Sequence, residues 1–546
     1  MTFRDQVIYQ VYPKSFYDSN GDGLGDLRGI IEKIPYIASL GVDMVWLNPF
    51  FASPQRDNGY DVSDYYAINP DLGTMEDTEE LISTLKDHGI GVMFDMVFNH
   101  ISTEHEWFQR ALAGEEKYQD YFYIREPKPD GSFPTNWESK FGGEAWAPFG
   151  DTGKYFLCLY DKTQADLNWH NADLRQELYK VANFWLEKGV RGLRFDVLNV
   201  IGKSEFLEDA APGMIDKLLY TDTPRVHPWI HEMNRATFGN YDGVLTVGEM
   251  STTTIENSIR YSNPESEELD MVFNFHHLKV DYQDGHKWTK VPFDFHVLKN
   301  LLNDWAVGMQ AGNGWNALFW NNHDQPRAIN RFADPVNFHV ESATMLATVI
   351  HLLRGTPYIY QGEEIGMVDP QYIDIEEYVD VEARNAYVSL IADGKTETEA
   401  FQIVTSKARD NSRTPMQWDS SANAGFTTGE PWLRPTTFKT INVEHEQKEG
   451  KILPYYKKLI QLRKENLLIS EGEYEPYALE HDAVFAYTRK YQGEKLLVLN
   501  NFYGEETSIE IPHEFLNGDI LIGNYPAHQL RDDYTLRPYE SLAIKI

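Results

Sequence analysis

The run "VRGLRFDV" (190–197) places Arg194 and Asp196 two residues apart, on one face of a strand-like segment. An arginine beside a carboxylate keeps it ionised and orients it, which suits a nucleophile. A second apolar run, "GVLTVGEM" (243–250), ends on Glu249. A carboxyl there is placed for partial desolvation, which suits a general acid. In "NNHDQPR", His323 and Asp324 close a third run; in "FDMVFNH", Asp95, Val97 and Asn99 share a face, with His100 at the tip. Three carboxyls at three strand ends, with two histidines and an arginine, form the inventory of a retaining glycosidase. One acid protonates the leaving oxygen, one carboxylate attacks, and the others stabilise an oxocarbenium-like transition state; attacker and acid stand roughly 5–5.5 Å apart. Each residue alone has a bland explanation, a helix cap or a satisfied polar pair. The set at one mouth does not.

These residues need a frame. The chain has 546 residues, 42% of them hydrophobic and 14% aromatic, enough for two or three domains with real cores. Lys and Arg number 49 against 84 Asp and Glu, a net charge of −35. That field repels nucleic acid and anionic membrane, so any anionic ligand must be met by a local group of cations. Cys158 is the single cysteine, which rules out an intramolecular disulfide; inside "KYFLCLYD" it reads as a buried bystander. The N-terminus "MTFRDQVIYQVYPKSF" lacks the basic-then-apolar pattern of a signal peptide, and "ATMLATVIHLLRG" is too short and polar to span a bilayer. The expectation is a soluble, cytoplasmic monomer or weak dimer.

One pattern recurs along the chain. Short apolar runs end abruptly in polar residues: "GVDMVWLNP", "GVMFDMVFNH", "VRGLRFDV", "GVLTVGEM", "NALFWNNHD" and "TPYIYQGEE". They suit strands buried on both faces. Amphipathic helices lie between them. "LRGIIEKIPYIASLG" puts Ile30, Ile31, Ile34 and Ile37 on one side, with Gly41 past the end. "TMEDTEELISTLKDHG" opens with Thr74 and Asp77 in capping-box spacing. "ADLRQELYKVANFWLEKG" lines up Leu174, Leu178, Val181, Ala182 and Trp185. Strands alternating with helices, with chemistry at strand C-termini, predict an α/β (β/α)8 TIM barrel over 1–100 and 169–470. The long Gly-, Pro- and aromatic-rich interval 101–168 reads as a subdomain inserted after strand three. From 471 to 546 short alternating runs predict a C-terminal antiparallel β domain.

With these residues in view, the chain resembles the α-amylase superfamily, glycoside hydrolase family 13, over essentially its full length. "DMVFNH", "GLRFDV", "TVGEM" and "NNHD" carry the match, supported by "QADLN", "GVDMVWLNP" and "GTPYIYQGEEIG". The resemblance implies Asp196 as nucleophile, Glu249 as acid/base and Asp324 as transition-state stabiliser. It also implies that Asp57, Tyr60, His100, Arg194, His323 and Arg327 hold the non-reducing-end glucose. "QADLNW", "SRTPMQWD" and "NHDQPR", with Val197 after the nucleophile, are similar to the oligo-1,6-glucosidase group.

Within that group, "PTNWESKFGGEAW", "YTDTPRVHPWIHEMN", "ELDMVFNFHHLKVDY" and "GWNALFWNNHDQPR" look most like members that split α,α-trehalose 6-phosphate, a phosphorylated disaccharide. Such a sugar cannot freely cross membranes and would be supplied by a phosphorylating importer. The alternatives are an oligo-1,6-glucosidase and, more distantly, a non-catalytic sugar-binding homologue. A phosphate needs cationic or backbone donors. "FHHLKVDYQDGHKWTK" offers His277, Lys279, Lys287 and Lys290; Asp281 and Asp284 within it favour a plain solvated face.

The stretch "YDSNGDGLGD" begins like an EF-hand loop but has Gly29 where the closing Glu belongs. By the resemblance it maps to a structural Ca²⁺ loop of Asp18, Asn20, Asp22, the Leu24 carbonyl and Asp26. Its competing reading is a loop of Asx turns with no ion.

Overall fold

A computed structural model describes residues 3–526 and 529–546. Its main sheet has eight strands: β1 (Ile8–Val11), β2 (Met44–Leu47), β3 (Gly91–Met96), β4 (Gly192–Phe195), β5 (Leu245–Glu249), β6 (Met271–Phe273), β7 (Ala317–Leu318) and β8 (Thr356–Tyr360). They run in the order β6-β5-β4-β3-β2-β1-β8-β7. β4 pairs in parallel with β3 and β5, β5 with β6, β1 with β8, and β8 with β7. Neighbours in the chain are neighbours in the sheet, and its two ends are the consecutive strands β6 and β7. This is a near-closed (β/α)8 barrel. β1, β2, β4 and β8 are buried throughout, which is why they read as continuous apolar runs rather than alternating ones. The sequence reading had no strand at β6: "MVF" is only three residues long and leaves no periodicity to find.

The chain divides into two compact units, Met1–Val45 with Phe275–Ile546, and Trp46–Asn274. In the second unit the helix Met75–Asp87 starts with a complete capping box, Thr74 and Asp77 each bonding the other's backbone. The helix Ala172–Glu187 buries Leu174, Leu178, Val181, Ala182 and Trp185, the face its spacing predicts. Between His100 and Asp166 the chain builds small antiparallel sheets. His100–Ser102 pairs with Gln164–Asp166, and Tyr155–Leu157 pairs with Ile124–Arg125 and Trp146–Pro148. Their core gathers Tyr123, Trp137, Trp146, Leu157 and Leu159, together with Val197 from just past β4.

In the other unit the helix Leu27–Leu40 is capped by Asp26 and stops at Gly41, whose φ of 84° is the left-handed conformation glycine tolerates. Ile30, Ile34 and Ile37 are buried, whereas Ile31 is only half-buried: it sits at the edge of the apolar stripe. The C-terminal part is an antiparallel β domain. Five strands lie in the order Glu473–Tyr477, Val484–Tyr491, Glu494–Asn501, Ser541–Lys545, Asp519–Gly523, with a separate pair Thr507–Glu510 and Asp533–Leu536. Val484, Leu497, Leu499, Ile509, Leu536 and Ile544 are among the residues of its core.

Candidate active site

In the unit Trp46–Asn274, the parallel register sets Arg194 of β4 directly opposite Asp95 of β3. Arg194 Nη1 donates to Asp95 Oδ1 at 2.6 Å and to Asp196 Oδ1 at 2.7 Å, while Nη2 donates to Glu249 Oε2. One guanidinium thereby gathers carboxyls from three neighbouring strands. Asp196 and Glu249 thus lie side by side, one on each terminal nitrogen of the same guanidinium. Sharing one guanidinium keeps the two carboxyls close, as a retaining pair requires, whereas an inverting pair stands roughly 6.5–9.5 Å apart to admit a water. Burial is the main force pushing Asp95 and Asp196 above the ordinary aspartate range, and Arg194 pulls both back. For Arg194 itself burial opposes the charge, but Asp95 and Glu249 overcome it and hold the group firmly protonated.

The surrounding groups fix this cluster. Tyr60 donates to Asp95 Oδ2 at 3.0 Å and accepts from Asn48 Nδ2 at 2.9 Å; the Trp46 indole N–H reaches the same Asp95 oxygen at 3.2 Å. Asp57 Oδ2 accepts from Gln164 Nε2 at 2.9 Å. His100 is buried with Nε2 3.2 Å from the Tyr60 carbonyl, and burial pushes its pKa down to about 4, so it acts as a neutral ring. Val197, directly after Asp196, has φ 38° and ψ 41°, left-handed geometry that a β-branched residue rarely adopts. The sequence reading did not give Asp95 its role as Arg194's partner, nor Gln164 its role as Asp57's.

In the other unit, His323 Nε2 lies 3.1 Å from Asp324 Oδ2, and Gln10 Nε2 lies 3.1 Å from His323 Nδ1. Asp324 Oδ1 accepts from Arg413 Nη2 at 2.8 Å and from Arg409 Nη1 at 3.5 Å. Burial would raise the Asp324 carboxyl, but His323, Arg409 and Arg413 hold it well below the usual range. Arg413 also donates to the His323 carbonyl at 2.7 Å. Arg327 requires a correction. Its guanidinium is buried, donates to the backbone carbonyls of Gln361 (2.8 Å) and Ser412 (3.4 Å), and lies 5.0 Å from the Tyr360 ring. It is spent on the scaffold; the arginines at Asp324 are Arg409 and Arg413. Arg413 stands inside "SRTPMQWD", so the signal was present in the sequence without an assigned role.

The four candidate phosphate ligands lie in the same unit. Lys287 Nζ is clamped by both Glu382 oxygens at 2.9 and 2.8 Å. His277 is buried, with Nε2 2.8 Å from the Phe319 carbonyl, and burial pushes it down to about 4, so it brings no charge. Lys279 is half-buried at the end of the short turn His276–Lys279, and Lys290 is exposed on the wall of a cleft it shares with Arg331 and Lys407. Those last two cations already neutralise Asp281, at 2.7 and 2.5 Å. Cys158 is buried and its thiol is pushed up to about 12 by burial, which removes it as a nucleophile.

In the loop Tyr17–Asp26, Asp18 accepts four hydrogen bonds. They come from the amides of Asn20 (3.0 Å), Gly21 (2.7 Å) and Gly23 (2.8 Å) and from the Thr427 hydroxyl (2.5 Å). Asn20 and Asp22 each accept from the amide two residues on, both at 2.9 Å. Asp26 caps the following helix through the Gly29 amide at 2.6 Å and takes both the amide and hydroxyl of Ser19. These Asx turns account for the loop's shape. Among the described residues no three Asp, Glu, His or Cys side chains cluster as a metal centre. The donor chemistry, all oxygen, is of the type a hard cation takes.

Residues 10–472 match the α-amylase catalytic domain and 484–542 the α-amylase SusG C-terminal domain. The chain therefore belongs to the α-amylase catalytic-domain family, glycoside hydrolase family 13, and is a glycoside hydrolase. Over 551 residues it is 49% identical to the trehalose-6-phosphate hydrolase of Bacillus subtilis (strain 168), covering 100% of this chain and 98% of that protein. It is 44% identical over 555 residues to the oligo-1,6-glucosidase of Bacillus cereus, with 100% and 99% covered. A crystal structure of Bacillus licheniformis trehalose-6-phosphate hydrolase matches with a TM-score of 0.95 at 50% identity, covering 100% of this chain and 99% of that one.

Proposed function

We propose that the protein hydrolyses α,α-trehalose 6-phosphate to glucose and glucose 6-phosphate with retention at the anomeric carbon. The observation that carries the reading is the full-length match at 49% to a trehalose-6-phosphate hydrolase, combined with Asp196 and Glu249 held together on Arg194. Asp196 attacks the anomeric carbon as Glu249 gives its proton to the leaving oxygen. Glu249 then takes a proton from water, which cleaves the glucosyl-enzyme ester. Asp324, ionised beside His323, takes the stabilising role, and Asp57, Tyr60, His100, Arg194 and His323 take the glucose contacts. Side-by-side kinetics on trehalose 6-phosphate, trehalose and isomaltose test the substrate: faster cleavage of isomaltose would overturn it. The second reading, an oligo-1,6-glucosidase, is favoured by the 44% match over the whole chain.

A cytoplasmic location accords with a phosphorylated sugar that cannot leave the cell freely; among the described residues no helix is long and apolar enough to cross a membrane. A monomer or weak dimer remains part of this reading. A structural Ca²⁺ would be held by Asp18, Asn20, Asp22, the Leu24 carbonyl and Asp26, remote in sequence from the catalytic carboxyls. Chelation should then lower Tm by roughly 5 °C or more through loss of a ligand that binds only the folded state, with kcat little changed. An unaltered Tm would leave the loop as a set of Asx turns.

A further inference from the structure

In the unit Trp46–Asn274, the parallel ladder between β4 and β5 ends at Phe195 and Gly248. On their facing edges Asp196 and Glu249 stand just beyond it. Past Glu249 the chain turns at once. The buried Met250 side chain folds back over Gly248, where an added Cβ would collide with it, and the Met250 amide donates to the Phe273 carbonyl at 3.1 Å. Past Asp196 the left-handed Val197 leads into the short turn Leu198–Val200, which contains Asn199. Asn199 is fully buried, and its Nδ2 donates to the Ser251 carbonyl at 2.8 Å and to Asp222 Oδ1 at 3.0 Å. One side-chain amide thus joins the loop that follows Asp196 to the loop that follows Glu249.

Backbone strain marks the same node. Val197, Asp222 and Thr252 have φ of 38°, 51° and 59°. The first lies just before the Asn199 turn, the second bonds Asn199, and the third follows Ser251. Left-handed geometry is costly for the β-branched Val197 and Thr252, and such strain persists only where surrounding bonds over-determine it, typically at functional sites. Asn199 Oδ1 adds a further cost, being buried with no hydrogen-bond partner among the described residues. Asp222 is itself held, its amide donating to the Asn199 carbonyl at 2.9 Å and its Oδ1 accepting from the Tyr261 hydroxyl at 2.8 Å. Both Nδ2 hydrogens of Asn199 are engaged, so the amide cannot swing without breaking a bond to Ser251 or to Asp222.

We propose that Asn199 is a positioning residue for Glu249: by pinning the Ser251 carbonyl it sets the direction from which the acid meets the leaving oxygen. This rests on the assignment of Glu249 as acid/base and is independent of which sugar leaves. Without the pin, the turn past Glu249 relaxes and the carboxyl shifts relative to Asp196, although Arg194 still bonds it. A misplacement of about 1 Å can cost on the order of 10²-fold in a step that depends on alignment. The cost falls on proton delivery, and a leaving group that departs without a proton escapes it.

The test uses the full-length enzyme and compares kcat/KM, which reports formation of the glucosyl-enzyme, on two substrates. Phenyl α-glucoside has a leaving group that needs the acid; dinitrophenyl α-glucoside has one that does not. Asn199→Leu should lose about 30-fold on the first and about threefold or less on the second. Asn199→Asp keeps the shape but, when ionised, cannot donate. Relative to the parent enzyme, its deficit on the phenyl substrate should shrink as pH falls and the new carboxyl gains a proton to give the Ser251 carbonyl, a gain that the neighbouring Asp222 charge favours. This recovery decides the matter where Asn199→Leu does not fold. Equal, pH-independent losses on both substrates would make Asn199 a general support of the fold, and full activity on both would leave Glu249 placed without it; either overturns the proposal. Glu249→Ala, run alongside, should show the same selectivity in stronger form; if it does not, the acid assignment falls and the proposal with it.

Discussion

Replacement of Asp196 by alanine is expected to lower kcat by on the order of 10⁴- to 10⁶-fold, the range seen when a covalent nucleophile is removed. Azide should restore turnover on an activated aryl α-glucoside, and the product should be the β-glucosyl azide. The small anion enters from the face that Asp196 vacates, opposite the leaving group. Glu249→Ala should behave differently. With a leaving group that needs no acid, the glucosyl-enzyme still forms, and azide captures it from the original side as the α-anomer. The anomer, read by NMR, assigns each carboxyl without reference to rate. A β-product from the Glu249 variant and an α-product from the Asp196 variant would exchange the roles. Because burial disfavours the Asp196 charge, Asp196→Ala should not lower Tm, which separates lost chemistry from lost fold.

Arg194→Gln should cost about 10³-fold in kcat/KM, since one residue supplies charge-assisted bonds to Asp95, Asp196 and Glu249 together. The pH profile gives the sharper reading. Burial raises Asp95 and Asp196, and Arg194 is the group that lowers them. Without it their folded pKa values rise further. The acid limb of kcat/KM, which reports ionisation of the nucleophile, should move to higher pH by about one unit or more. The sign for stability follows from the same groups. A carboxyl raised in the folded state binds its proton longer than the unfolded chain does, so the stability it contributes is present in acid and lost as pH rises through the folded value. The variant should therefore lose more stability than the parent between acid and neutral pH, approaching the roughly 3–5 kcal/mol of a broken buried ion pair. An acid limb that stays in place would detach Asp196 from the ionisation that controls the rate.

Much of the barrel was legible because its strands are buried on both faces and stop abruptly. β4 and β5 are short apolar runs whose last residues are polar, and that contrast marks Asp196 and Glu249 before any contact is known. β6 escaped because three residues carry no period. The arginines of Asp324 escaped for another reason. Arg409 and Arg413 lie 85 and 89 residues further along the chain. They sit at a short helical turn, Asp410–Arg413, where no strand end flags a functional side chain. Arg327, two residues beyond "NHDQ", was a glucose contact only by the family resemblance, and its planar cation instead bonds the carbonyls of Gln361 and Ser412. In the basic stretch 276–290, composition counted cations without seeing that Lys287 belongs to Glu382.

The left-handed turn at Val197 bears on how this enzyme could be improved. A non-glycine residue in that conformation costs about 1–2 kcal/mol, and glycine would recover part of it. Yet the valine side chain is packed in the aromatic core with Trp137, Leu157 and Tyr220, and the strained peptide follows directly on the attacking carboxylate. Relaxing it would loosen the direction in which Asp196 points. Screens that select for heat resistance alone would therefore reward a change at this position that blunts turnover, so a thermostability campaign on this scaffold should hold residue 197 fixed and seek its gains in the C-terminal β domain.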